Sequence, residues 1–207
     1  MTQVSEYKCK KAISEKVRGF LSDWVELRRN SGEDISTEFT TKARLSWDEK
    51  FLYVQFSCLD DTFNATLTDY NDKLYTEDVV EVFIDDNCDL KTYTEIEVNP
   101  LNAVLHYHVL NNLHNNFWGY AKVEQSINSK VEIVKHPDGI EWQVSISIPM
   151  EEFVTAKNCP PKEGDVWLFN LYRIKTYQSG DVEYSSFSAT KVNSFHRPDC
   201  FAKLIFK

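Results

Sequence analysis

The chain has 207 residues and a formal charge of −9 at neutral pH, from 32 acidic and 23 basic side chains. An acidic chain without a Lys/Arg cluster repels phosphate backbones and anionic bilayers, so neither nucleic acid nor a membrane is an expected partner. Hydrophobic residues at 42% and charged residues at 27% fit a folded globular chain, and the 14% aromatic content favours a β core, an aromatic binding surface, or both.

Met1 to Lys11 is polar and shows no apolar core of a secretory leader, which leaves the compartment open. Ile13, Val17, Phe20, Leu21, Trp24 and Leu27 recur at helical spacing and allow a short N-terminal helix, weakened by Gly19. From there alternating runs dominate. Lys42 to Trp47 and Phe51 to Cys58 flank Asp48-Glu49-Lys50 and predict a hairpin. Asp78 to Asp85 and Thr92 to Asn99 flank the polar turn Asp86 to Lys91. Ala103 to Leu110 follows a corner at Asn99-Pro100-Leu101-Asn102. Lys130 to Lys135 and Glu141 to Ile148 surround His136-Pro137-Asp138-Gly139, with Asp-Gly as the turn signal. Glu151 to Ala156 reads as a helical turn. Val166 to Ile174, Glu183 to Ser188 and Phe201 to Phe206 complete the strands. Short strands at this spacing predict an all-β chain with little helix, a single domain over residues 1–207. The expected architecture is an antiparallel two-sheet β-sandwich, immunoglobulin- or jelly-roll-like. The five cysteines, Cys9, Cys58, Cys88, Cys159 and Cys200, are scattered and form no C-x-x-C pair, so they read as free thiols, a pattern compatible with the cytoplasm.

Strand alternation sorts the carboxylates. Val80, Val82 and Ile84 share one face, and Glu81, Phe83 and Asp85 the other. Thr94, Ile96 and Val98 oppose Tyr93, Glu95, Glu97 and Asn99. Two adjacent strands therefore present Glu81, Glu95 and Glu97 on one surface. Such carboxylates suit sugar binding, since each accepts hydrogen bonds from hydroxyls, or glycoside hydrolysis, or a solvated sheet face. Asp85-Asp86-Asn87-Cys88-Asp89 carries oxygen ligands at alternate positions, but Leu90 and Ile96 stand where an EF-hand has Gly and Glu. His106-Tyr107-His108 puts two imidazoles on one strand face with no third ligand set by spacing, so no metal site is assigned. Nucleotide-binding glycine motifs and a nucleophile elbow are absent, so no catalytic residue is assigned. His114-Asn115-Asn116-Phe117-Trp118-Gly119-Tyr120 joins amides to ring faces in a predicted loop, a pairing suited to sugars.

Leu45-Ser46-Trp47-Asp48, Leu52-Tyr53-Val54 and the run Asn71 to Asp85 resemble the family-nine carbohydrate-binding modules. So do Tyr93 to Pro100, Trp142-Gln143-Val144, Gly164 to Arg173, Phe195-His196-Arg197-Pro198 and Phe201-Ala202-Lys203-Leu204. The resemblance implies a non-catalytic β-sandwich that holds sugar between two aromatic side chains, with structural calcium in some members. Tyr75 and Phe187 would be the two platforms, both in place of Trp. Glu81 matches a sugar-contacting Glu and Asn170 an Asn near the site, while Glu97 stands where the xylanase-attached modules have Arg. The same broad class includes haem-binding relatives, for which His106 or His108 would be the axial ligand.

Together these readings predict a carbohydrate-binding protein without catalysis. Tyr75 and Phe187 would stack on the ring, with Trp118 at the rim, and Glu81, Glu97, Asn170 and Arg173 would order the hydroxyls. Arg173 could instead neutralise Glu81 or Glu97 in the core. The competing classes are a glycoside hydrolase with paired carboxylates and a haem-binding sandwich.

Overall fold

The computed structural model describes residues 5–12, 22–32, 39–112 and 117–207, with the side chains of Phe117 and Trp118 outside that set. Of the helix expected from the pattern Ile13 to Leu27, residues 13–21 lie outside the described residues. At its C-terminal end Val25–Glu26 is extended.

Among the described residues fourteen strands follow in chain order: β1 (Glu6–Lys11), β2 (Val25–Glu26), β3 (Arg28–Arg29), β4 (Thr41–Trp47), β5 (Phe51–Asp60), β6 (Val79–Asp85) and β7 (Thr92–Val98). Then come β8 (Val104–Asn111), β9 (Phe117–Lys122), β10 (Asn128–His136), β11 (Gly139–Pro149), β12 (Val166–Thr176), β13 (Val182–Ser186) and β14 (Ala202–Phe206). Among the described residues the only helix is three 3-10 turns, Leu74–Thr76, Met150–Glu152 and Pro198–Cys200.

The main strand order is β10-β11-β5-β4-β1-β14-β12-β6-β7-β8-β9, with β13 beside β12. The chain is all-β as expected, but the sheet is mixed and continuous, not cleanly antiparallel. β1 is the reason. Its first half pairs parallel with β14, Glu6 to Cys9 against Lys203 to Phe206. Its second half pairs parallel with β4, Lys10 and Lys11 against Ser46 and Trp47. One strand thus joins two antiparallel leaves, β10-β11-β5-β4 and β14-β12-β6-β7-β8-β9. Tyr7 locks this junction: its hydroxyl accepts from Leu45 N (2.9 Å) and donates to the Asp23 carbonyl (2.9 Å).

The leaves curl over one core. Leu45, Val54, Phe56, Val144 and Ile146 from the first leaf meet Val80, Val82, Ile96, Phe169 and Leu171 from the second. Alternation sends the intervening residues of the second leaf outward. There Phe83, Tyr93, Leu105, Tyr107 and Tyr172 form a second apolar layer, closed by Leu74, Phe195 and Phe201 from connecting segments. The second leaf is therefore buried on both faces, and β6 is buried throughout its length. The predicted hairpins form. Asp48 Oδ1 accepts from Lys50 N and Phe51 N at 2.7 and 2.8 Å. Gly139 is required where the β10–β11 turn runs against β5, because a Cβ there would collide with the Asp60 carbonyl oxygen.

Candidate functional site

The outer face of the second leaf carries an open groove of about 380 Å³. Its floor is set by register. Glu81 on β6 lies opposite Glu97 on β7, and Glu95 on β7 lies opposite Phe83 on β6 and Tyr107 on β8. One wall comes from β8 and β9, where Tyr107 stacks on Tyr120 at 4.1 Å between centroids and 7° between planes. Tyr75 stands on the same side, on the Leu74–Thr76 turn. Buried Leu74 pins that turn, and the Glu77 carboxylate accepts from Thr66 N (2.7 Å) and Leu67 N (3.1 Å). The other wall comes from β13 and the segment that follows it. Phe195 stacks on Tyr172 (4.0 Å, 12°), Tyr184 meets Phe195 edge-on, and His196 Nδ1 lies 2.7 Å from Tyr93 Oη. Tyr75 and Tyr120 are the exposed rings of the groove, at 44% and 47%.

The floor is unusual electrostatically. Glu81, Glu95 and Glu97 are each buried, and their carboxylate oxygens come within 4.8 Å of one another. Among the described residues no Lys or Arg forms an ion pair with any of them. Glu81 Oε1, Glu95 Oε2 and both oxygens of Glu97 have no hydrogen-bond partner. Buried charge without a counterion neutralises itself by taking up protons. Burial pushes the Glu95 carboxyl up to about 7. It drives Glu81 and Glu97 well above the usual carboxylate range, with Glu95 charge adding at Glu81 and the Glu81 and Glu95 charges adding at Glu97. Proton uptake by this floor leaves carboxyl groups that both donate and accept hydrogen bonds. Burial lowers His196 to about 4, so the imidazole on the far wall is neutral.

Of the seven binding residues expected from sequence, Tyr75, Glu81 and Glu97 meet in this groove. Asn170 is close but fully buried. Its Nδ2 donates to Tyr172 Oη (2.8 Å) and the Ser188 carbonyl (2.7 Å), and its Oδ1 accepts from Leu171 N and Ser188 N. It holds Tyr172, whose hydroxyl donates to the Phe195 carbonyl, and so supports the far wall. Phe187 is not brought to Tyr75. Its ring packs on Phe169 (5.4 Å) and Tyr7 (6.3 Å), against the core between the leaves. Arg173 is also on the inner face, opposite Val80. It neither reaches the groove nor neutralises Glu81 or Glu97. Its Nη2 lies 2.5 Å from Asp60 Oδ2 and its Nη1 donates to Thr41 Oγ1 (2.7 Å). Lys175 joins the same buried cluster at 2.6 Å from Asp60 Oδ1. The Trp118 side chain, the expected rim, lies outside the described residues, as does His114.

Two further clusters singled out in the sequence lie away from the groove. In the acidic turn after β6, Asp89 Oδ1 accepts from Lys91 N and Thr92 N, Asp85 Oδ2 from Leu90 N, and Asp86 Oδ2 from Thr155 N. These carboxylates cap the backbone of the turn and of the neighbouring loop. His106 and His108 do share a face, but it is the inner one, opposite Ile96 and Thr94. Sequence reasoning left Glu95, Tyr107, Tyr184, Phe195 and His196 out of the binding set. Alternation alone had put Glu95 beside the other two carboxylates. The residues of the far wall carry no local signal, because they are distant in sequence from β6 and β7.

Fold and groove together define an all-β module whose aromatic-walled, carboxyl-floored cleft is built on a sheet face. A family model described as Carbohydrate family 9 binding domain-like matches residues 22–207, and the chain belongs to that family. Comparison with curated proteins finds no match. Among solved structures, the chain is similar to a "putative carbohydrate-binding protein" from Bacteroides uniformis ATCC 8492. The TM-score is 0.80 at 15% identity, covering 99% of this chain and 100% of that one. It is also similar to a family 9 carbohydrate-binding module from Caldicellulosiruptor kristjanssonii solved with cellotriose (TM-score 0.63, 18% identity, 98% and 94% covered). A module from the same organism solved with glucose gives a TM-score of 0.61 at 19% identity, with 98% and 96% covered. At these identities the likeness establishes a shared fold.

Proposed function

We propose that the chain binds carbohydrate in the groove on the outer face of β6, β7 and β8, without cleaving it. The observation that carries this reading is the pairing of exposed Tyr75 and Tyr120 rings with the Glu81, Glu95 and Glu97 floor, in a chain of this family. A sugar ring lays its C–H face on the aromatic platform and turns its hydroxyls to the floor. There protonated carboxyls donate to hydroxyl oxygens and accept from hydroxyl protons. Tyr75 is the first platform, as the resemblance implied, and Phe195 with Tyr184 on the far wall takes the part expected of Phe187. Asn170 acts through Tyr172, and Arg173 has no contact with the ligand. Structures similar to this one were solved with cellotriose and glucose, which supports a neutral glycan as ligand.

The same floor argues against hydrolysis. An inverting pair needs carboxyls roughly 6.5–9.5 Å apart with water between them, and a retaining pair about 5–5.5 Å with one ionised nucleophile. Here all three carboxyls are buried and shifted upward together, so no environment sets an ionised nucleophile or base apart from an acid. Isothermal titration against gluco-oligosaccharides and a wider glycan panel tests the reading. The expected result is micromolar to millimolar binding, weakened about 10- to 100-fold in Tyr75→Ala with folding intact. Silence across the panel from folded protein, or unchanged affinity in Tyr75→Ala, refutes it.

A further inference from the structure

The inner face of β8 holds a second constellation, independent of the groove. Strand alternation places His106 and His108 side by side, with ring centroids 5.6 Å apart and tilted by 59°. Glu152 reaches them from the Met150–Glu152 turn, which follows β11 and so belongs to the opposite leaf. One donor atom from each residue lies within 4.8 Å of the others. His106 is fully buried, and neither of its ring nitrogens has a hydrogen-bond partner. A buried imidazole without partners is costly, and native interiors rarely leave one in that state. His106 Nε2 sits 3.6 Å from Glu152 Oε2. That is too long for a hydrogen bond. It is close to the edge of a tetrahedron drawn around an ion with bonds of about 2.1 Å, roughly 3.4 Å.

We propose that His106, His108 and Glu152 form a binding site for a zinc-type divalent ion. Two imidazoles and one carboxylate are a three-ligand zinc set, and the nitrogen donors separate it from an all-oxygen calcium site. Thr94 Oγ1 stands 3.4 Å from His108 Nδ1, so a hydrogen bond there orients the ring and leaves Nε2 for the ion. A cavity of about 490 Å³, lined by His108, Glu152, Thr94 and Thr155, opens beside the cluster. It supplies an entry path and room for a water as fourth ligand. Because β8 and the Glu152 turn come from different leaves, the bound ion staples the two together.

The test titrates zinc, and calcium in parallel, into chelator-treated full-length protein, with melting curves at each endpoint. The parent is expected to bind one zinc ion and to gain melting temperature, since the ion binds the folded state. His108→Ala and Glu152→Gln should each weaken zinc at least 10-fold and lose the thermal gain, while Glu81→Gln keeps both. Glu152 is a turn residue, so Glu152→Gln decides the matter if His108→Ala does not fold. Cobalt in place of zinc should give a tetrahedral visible spectrum without a thiolate charge-transfer band. No zinc binding by the parent, unchanged binding in Glu152→Gln, loss of binding in Glu81→Gln, or a thiolate band from the free cysteines would each overturn the assignment.

Discussion

The carboxyl floor makes stability depend on pH in a direction that can be worked out. A carboxyl whose folded-state pKa lies above its unfolded value, about 4.3 for Glu, binds protons more tightly in the folded protein. Its contribution is complete below about pH 4 and is lost as pH rises towards the folded value. For Glu95 that value is about 7. A gap of nearly three pH units, at about 1.4 kcal/mol each, amounts to roughly 4 kcal/mol, shared among the interacting carboxyls of the floor. Glu81 and Glu97 shift in the same direction, chiefly through burial, and add to the loss as pH rises. The magnitude is large against a total stability of about 5–15 kcal/mol. Urea denaturation at one-unit steps from pH 5 to pH 9, with chelator present, measures it. The parent should lose several kcal/mol across this window. Glu95→Gln and Glu97→Gln should flatten the profile and be more stable than the parent at pH 9, because a neutral amide replaces a carboxylate that has no counterion. Exposed carboxylates are already ionised throughout the window and add little slope. A flat parent profile, or Gln variants less stable than the parent at pH 9, would refute the account.

Phe83 is fully buried and touches the rings of Tyr93, Tyr172, His196 and Phe201, so Phe83→Ala should cost about 3–5 kcal/mol in urea denaturation. Phe187→Ala should lower stability while leaving sugar affinity at the parental level, whereas Tyr75→Ala should do the reverse; calorimetry and melting curves on both variants separate the two roles. Arg173→Ala leaves Asp60 with half of its ionic partners in a buried site and should cost about 3–5 kcal/mol, again without effect on sugar binding.

Much of the fold was legible in the chain because it is local. Alternation and turn chemistry place most of the long strands, and the same alternation puts Glu81, Glu95 and Glu97 on one face. β1 was not legible. It offers two buried residues, Tyr7 and Cys9, in a polar hexapeptide, and its partners β14 and β4 are parallel and remote. The mixed sheet follows from that one strand. β9 escaped because Gly119 and the amide-rich block before it read as loop. Phe187 and Arg173 were misplaced for a related reason. Period-two patterning says which residues share a face of a strand, but not whether that face meets the other leaf or the groove. On a leaf buried on both faces, hydrophobicity does not distinguish them either. The residue types of the groove, acidic and aromatic on adjacent strands, were therefore determined by the sequence alone. Which aromatics face the carboxyls, which cation leaves them unpaired, and which turn brings Glu152 to the two histidines were decided by packing between segments far apart in the chain. That packing depends on the closure of two leaves around a shared core, and no local propensity encodes it.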